Sequence, residues 1–466
     1  MRKILNNNDK IKPLKYKEPN LKRKIIIVTL VFSALLISGM FLYKTFAAFN
    51  EQKQFNVING TVSDPGDIYF AYYVDDKITR DIPTQDSGYT LDTTKSTCTN
   101  GVTVGWDETN WTALVNYQKY NATNNTRTKC NLYFKVKPLT AAKYVTTLAQ
   151  TDTTNLAVDD YGNTRYIGAD PNNYVSIDGD IWRIIGTMKD VDDGTGNKED
   201  RVKLIRASSI GSYSWDTSES SVNNGWGVNE WSGADLMKLL NPGYESETVG
   251  GSLYWNNQSG TCYNNKQNAT TSCNFTSTGI KEKLKNMIGN AVWNTGSNGT
   301  NDFTSSSNGL TKHFYTYERS ANNGKICSSS NYCNDTVKRT TTWTGKVGLM
   351  YPSDYGYATS GGSTTDRATC LNKELYNWNG SSVSDCKNND WLFNNGLQWT
   401  ISPYAYSSRA SNSRASNVFY VSSGSYVNNN YAYSGNGGVR PVGYLVSNVK
   451  ISGGEGTSES PFSLEL

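Results

Sequence analysis

From Ile25 to Tyr43 the chain runs nineteen residues without a charge, and this stretch divides it into two chemically different parts. At about 1.5 Å per residue, a helix of that length matches a hydrocarbon core. Residues 1–48 carry ten Lys and Arg against two acids, a balance of +8, while the remaining residues balance at −4. The basic flank, ending Leu21-Lys22-Arg23-Lys24, precedes the apolar run and places residues 1–24 on the cytoplasmic side. Two readings remain open. Residues 25–48 form an uncleaved transmembrane or signal-anchor helix, or they are a signal peptide cut after small residues such as Thr45 and Ala47. Both place residues 50–466 outside the cell, either held at the membrane through residues 25–43 or secreted. With a slightly acidic bulk, the exported part has no basic footprint for nucleic acid.

The cysteines agree with export. Cys98, Cys130, Cys262, Cys273, Cys327, Cys333, Cys370 and Cys386 all follow the apolar run, and an even count in an oxidising compartment reads as disulfides. Sequential pairing is the simplest scheme: 98–130, 262–273, 327–333 and 370–386. Zinc needs spacings such as C-x₂-C, and none occurs. His313, the one histidine, has Glu318 as its nearest acid in sequence, and no G-x-S-x-G motif is present. The acidic run Asp190, Asp192, Asp193, Glu199, Asp200 lacks the EF-hand pattern, because Gly194 and Arg201 stand where ligands are needed; it reads as a solvated hairpin tip. No metal, no cofactor and no catalytic residue is assigned.

Alternation marks strands at Ile68–Val74 and Leu132–Val136, so residues 50–137 read as a small β domain bounded by Lys137-Pro138. A short helix over Ala141–Gln150 opens a second domain, 139–450, followed by a tail, 451–466. In it, Ser232 is expected to cap a helix carrying Leu236, Leu239 and Leu240 that stops at Asn241-Pro242-Gly243. The stripe Ile280, Leu284, Met287, Ile288, Ala291, Val292 predicts a second helix. Val175–Ile177 and Asp180–Ile185 read as a hairpin about Asp178-Gly179, and Arg201–Arg206 as another strand.

Four segments carry a family resemblance. They are Tyr174–Gly186 (YVSIDGDIWRIIG), Gly225-Trp226-Gly227 with Trp231, Trp399-Thr400-Ile401-Ser402-Pro403, and Gly437-Gly438-Val439-Arg440-Pro441-Val442. Together they resemble the C-type-lectin-like fold of bacterial surface proteins and of relatives of the formylglycine-generating enzyme. With Met350–Tyr357 (MYPSDYGY) the wording is similar to surface proteins of gut Firmicutes. The resemblance covers about residues 165–450 and implies a C-type-lectin-like α+β domain ending in a core strand. Joined to the readings above, the expected fold class is α+β: an N-terminal membrane helix, a small β-sandwich-like domain, then that domain. It does not carry over the chemistry of either branch. The enzyme branch needs a copper-binding cysteine pair that no pair here matches, and Trp378-Asn379-Gly380 lacks the Asp of the calcium-dependent lectins.

The stretch most informative about function is Ser402–Asn436, in which ten Ser, six Asn and six Tyr make up 22 of 35 residues. Tyr offers rigid amphipathic area and Ser and Asn offer adaptable hydrogen bonds, the composition of binding loops. Arg409 and Arg414 sit in a tandem pentapeptide, Ser408–Asn412 and Ser413–Asn417, and Val418–Val421 and Tyr426-Val427 read as strands about Ser423-Gly424. The candidate ligand-binding residues are Tyr404, Tyr406, Arg409, Arg414, Tyr420, Tyr426, Tyr431 and Tyr433. The expected function is a non-catalytic, adhesin-like surface module for a glycan or protein ligand. The competing readings are a structural envelope protein and an extracellular enzyme.

Overall fold

The structure, a computed structural model, describes residues 68–466 apart from 75, 81, 85–87, 100–103, 116–127, 219–226, 297–302, 321–339, 394–395 and 405–415. The expected cytoplasmic segment 1–24 and membrane helix 25–48 therefore lie outside the described residues. Among those described, no helix is long and apolar enough to cross a membrane. The chain divides into two units between Lys137 and Pro138.

In the first unit, alternating residues of β1 (Ile68–Val74) and β7 (Thr128–Val136) pair in parallel, Tyr72 beside Leu132 and Val74 beside Phe134. β2 (Lys77–Thr79) flanks β1, while β3 (Tyr89–Leu91) and β4 (Thr97–Cys98) pair with β7. The hairpin of β5 (Val104–Asp107) and β6 (Thr112–Val115) supplies Trp106 and Ala113 to a core of Tyr72, Leu91, Leu132 and Phe134. Cys98 lies directly opposite Cys130 in the β4–β7 ladder, and the two are bonded.

The second unit is built on an eight-stranded sheet ordered β15–β22–β12–β11–β9–β8, with β10 on β11 and β18 on β22. The strands are β8 (Leu156–Val158), β9 (Thr164–Tyr166), β10 (Tyr174–Ile177), β11 (Asp180–Asp192), β12 (Lys198–Arg206), β15 (Ile288–Gly289), β18 (Val347–Gly348) and β22 (Val442–Leu445). The β10–β11 turn places Asp178 and Gly179 at φ 49° and 81°, the paired positive φ that tight hairpins favour. α1 (Ala141–Leu148), capped by Thr140, buries Ala141, Ala142 and Val145. Around the sheet stand the hairpin β13 (Ser259–Tyr263) and β14 (Thr270–Asn274), the pair β16 (Ala291–Asn294) and β17 (Thr342–Gly345), and the three-stranded sheet β19 (Gln398–Tyr404), β20 (Asn417–Val421), β21 (Val427–Tyr431). The helices are short: α2 (Asp235–Leu240), α3 (Glu282–Met287), α4 (Thr311–Glu318), α5 (Pro352–Tyr357), α6 (Arg367–Leu371) and α7 (Ser384–Asn388).

Several expectations are corrected. The chain is dominated by strand, 36% against 16% helix, so the α+β architecture with a membrane helix does not describe it; only a sheet with short helices attached remains of that expectation. The 280–292 stripe is helical only to Met287, because Ile288 and Gly289 leave the helix to pair with Leu445 and Tyr444. Ser232 caps no helix; its hydroxyl bonds Glu230, and α2 begins after Ala234. Residues 451–466 are not a tail. β23 (Lys450–Gly453) pairs with β24 (Ser463–Glu465), and Phe462, fully buried, pairs beside Tyr174 and Ser176 through its backbone. The acidic run at 190–200 spans the β11–β12 tip, where Asp192 and Asp193 accept from the backbone of Gly194 and Thr195.

Three cysteine pairs are bonded, Cys98–Cys130, Cys262–Cys273 and Cys370–Cys386, and Cys327 and Cys333 lie outside the described residues. Peptide mapping without reductant is expected to recover these three links. Replacing Cys98 and Cys130 together by Ser is expected to destabilise the first unit by about 2–4 kcal/mol, since the bond closes a loop of that order of cost in the unfolded chain. Recovery of Cys98 or Cys130 joined to a cysteine of the second unit would contradict the pairing.

Candidate functional site

β20 and β21 pair antiparallel with Tyr420 opposite Asn428 and Val418 opposite Asn430, and Trp399 of β19 lies on the other side of Tyr420. Side chains alternate, so Phe419, Val421 and Val427 go to the other face, where each is fully buried. Tyr420, Tyr426, Asn428 and Asn430 thus share the half-buried face. Tyr376, from the turn Leu375–Asn377, packs edge-on against Tyr426 with ring centres 5.7 Å apart. Trp399, 1% exposed and edge-on to Tyr420 at 6.2 Å, donates from Nε1 to the Tyr213 carbonyl at 2.8 Å, which fixes the floor under Tyr420. Burial raises the Tyr420 phenol above its ordinary value, with the Tyr426 and Tyr376 phenols adding to the effect.

β21 is an edge strand, and its Asn residues close that edge. Asn428 Oδ1 accepts from the Asn429 N–H at 2.8 Å and Asn430 Oδ1 from the Tyr431 N–H at 2.9 Å. Open backbone groups on a sheet edge invite pairing with another chain, and here side chains satisfy two of them. The carboxamide oxygens are thereby committed inward. Among the described residues, the Nδ2 groups of Asn428 and Asn430 and the hydroxyls of Tyr376, Tyr420 and Tyr426 make no hydrogen bond. Elsewhere in this unit some tyrosine hydroxyls are engaged, as Tyr355 is with the Ser425 carbonyl and Tyr317 with Asn308, while those of Tyr166, Tyr254 and Tyr357 are buried without a hydrogen-bond partner.

The structure separates the expected binding residues. Tyr420 and Tyr426 meet on this face. Tyr431 and Tyr433 form a second pair, stacked at 5.6 Å. Tyr404 is a correction: it is 4% exposed, packed against Phe303 and Phe419, and belongs to the core because β19 turns that side chain inward. Tyr406, Arg409 and Arg414 lie outside the described residues. Sequence reasoning missed Tyr376, for which a three-residue turn gives no periodic signal. It also missed Asn428 and Asn430, whose spacing of two in a strand could have placed them beside Tyr426.

The interior that holds these elements is charged. Asp354, in the first turn of α5, accepts from Arg165 at 2.6 Å, from Lys203 at 2.5 Å and from the Tyr351 N–H at 2.9 Å. Arg165 also bonds Asp159, and all four side chains are 2% exposed or less. Burial alone would raise the Asp354 carboxyl, but its two cations hold it down to about 2. The two partners respond unequally, since burial outweighs the single carboxylate for Lys203 and brings it down to about 8. Beside them Glu318 takes the N–H and hydroxyl of Ser353, and burial raises its carboxyl. Arg440, of the Gly-x-Arg-Pro segment, donates to the Arg206 and Leu392 carbonyls and to Gln398, and burial lowers it to about 9. These groups are sealed from solvent and act as internal joints.

A cleft of about 570 Å³ lies between α1 and the end of β11 and β12, lined by Lys143, Lys189, Glu199 and Asp200 among others. Lys189 is paired with Asp200 at 2.6 Å and Glu199 with Arg201 at 3.0 Å, so its charges are largely committed. None of the expected binding residues lines it. Among the described residues, no group of three or more His, Cys, Asp or Glu is placed to hold a metal ion. No protein-family model, no curated protein and no solved structure matches the chain.

Proposed function

We propose that the chain is an exported, non-catalytic binding protein, associated with the cell membrane through residues 25–43 or released by cleavage, and that its contact surface is the Tyr420–Asn428 face. The observation that carries this reading is the concentration on one rigidly floored face of five hydrogen-bonding groups that have no partner among the described residues, the hydroxyls of three phenols and the Nδ2 groups of two carboxamides. Tyrosine anchors around a packed centre are what binding surfaces use to gain affinity with little loss of side-chain freedom. The disulfides Cys262–Cys273 and Cys370–Cys386 are consistent with an oxidising compartment.

The test is a cell-surface binding assay with the labelled full chain, run against host and microbial cells. Saturable binding is expected, and Tyr420→Ala should weaken it by about tenfold or more, the range of an interfacial aromatic anchor. A Tyr420→Ala chain that folds normally and binds as the parent does would remove the face from consideration.

A further inference from the structure

We propose that the ligand of this face is a neutral carbohydrate, gripped without a metal ion by the rings of Tyr376, Tyr420 and Tyr426 and the carboxamides of Asn428 and Asn430. The inference rests on the binding role proposed above and assigns its ligand class. Three features of the face select that class.

The first is charge. All five residues are uncharged, and the nearest charged neighbours in sequence, Lys373 and Glu374, are paired with each other at 3.3 Å. Among the described residues, the face thus offers no charge to a phosphate, a sulfate or an ionic peptide, and its five side chains impose no desolvation of ions on binding. The second is the direction of the hydrogen bonds. Asn428 and Asn430 have their oxygens accepting from the Asn429 and Tyr431 N–H groups, so the N–H₂ donor is the group of each carboxamide left without a partner among the described residues. Two residues apart along a strand, those donors are spaced about 7 Å from each other, within reach of hydroxyls on one or two sugar rings. The phenol hydroxyls beside them both donate and accept, which matches hydroxyls as partners.

The third is the aromatic geometry. Tyr376 and Tyr426 stand edge-to-face, and Tyr420 stands edge-to-face on Trp399, so ring surfaces are held at fixed angles rather than collapsed on one another. A pyranose has an apolar C–H face and a polar rim, and it fits such a combination of ring and amide. Calcium, by contrast, prefers carboxylate-rich oxygen sites, and this face has no carboxylate.

Titration of the full chain in detergent with neutral gluco-, manno-, galacto- and N-acetylglucosamine oligosaccharides tests the proposal. A hyaluronan hexamer, a displayed-peptide library and a chelator arm complete it. At least one neutral series is expected to bind, equally well with chelator. Tyr376→Ala, Tyr426→Ala and Asn428→Asp should each lower its affinity about tenfold or more while the near-ultraviolet dichroism is kept. Should an alanine variant lose that signal, Tyr376→Phe and Tyr426→Phe, which keep the ring and remove only the hydroxyl, carry the comparison. Absence of binding to every neutral series overturns the carbohydrate proposal, as does binding confined to hyaluronan or binding lost with chelator. If only displayed peptides bind, and the variants weaken them, the ligand class fails while the binding role stands. If the variants weaken no binding at all, both fail together.

Discussion

Replacing Asp354 by Asn is expected to destabilise the second unit by about 3–5 kcal/mol, the range for removing one partner of a buried ion pair. The reason is the company Asp354 keeps. Arg165 and Lys203 are both 1% exposed, and the substitution leaves Lys203 with no carboxylate and Arg165 with Asp159 alone. The same joint predicts a pH limit. The Asp354 carboxyl sits at about 2 in the fold, below the value of about 3.9 for an unfolded chain. The unfolded chain therefore binds the proton first as pH falls. The stabilisation from Asp354 is complete above about pH 4 and is lost as pH drops toward 2. Urea melts at pH 7, 4 and 3 are the measurement: the parent should lose stability over the acid interval, and Asp354→Asn should start lower and lose less there. An Asp354→Asn chain as stable as the parent at pH 7 would show that the network is not a joint.

Gly437→Ala is expected to damage both stability and binding. A methyl group at Gly437 would sit 2.0 Å from Trp399 Nε1 and 2.2 Å from its Cε2, with no flexible tail to move aside. The same Nε1 donates to the Tyr213 carbonyl, so the indole must shift and lose that bond or the backbone must open. Overpacking of this kind costs about 1–3 kcal/mol, and a lost hydrogen bond on a buried indole adds about 1 kcal/mol or more. Tyr420 rests edge-on against the same indole, so its ring should tilt with it and ligand affinity should fall with stability. Combining Gly437→Ala with Trp399→Phe, which removes the colliding pyrrole edge, should recover part of the stability. A Gly437→Ala chain that melts and binds as the parent would show that Trp399 does not hold the floor of the site.

Where a signal was local, the residues sufficed. The turn at Asp178-Gly179 needs two consecutive positive φ values, and few residue pairs other than Asp-Gly or Asn-Gly supply them cheaply. The alternation in Val418–Val421 likewise marked a strand. The stripe at 280–292 misled for a definable reason. A short apolar run satisfies helix and buried-strand periods alike, and the choice at Ile288 was made by Leu445 on β22, far along the chain. Phe462 shows the same effect at the C-terminus, since its burial depends on a backbone partner near residue 174.

The sequence by itself determined the uncharged run at 25–43, the cysteine spacing, the turn positions and the stretch where Tyr, Ser and Asn concentrate. It could not say which of those tyrosines face water. Strand alternation assigns Tyr404 and Tyr420 to faces but leaves open which face another element covers, and Phe303 and Phe419 enclose Tyr404 while Tyr420 stays half-exposed. Only the tertiary structure brought Tyr376 to Tyr426, some fifty residues on, and Asp354 to Lys203, 151 residues away. The physical reason is range. Backbone conformation and side-chain period are set by neighbours within a few residues, whereas burial and ion pairing are set by whichever distant segment the fold lays against them.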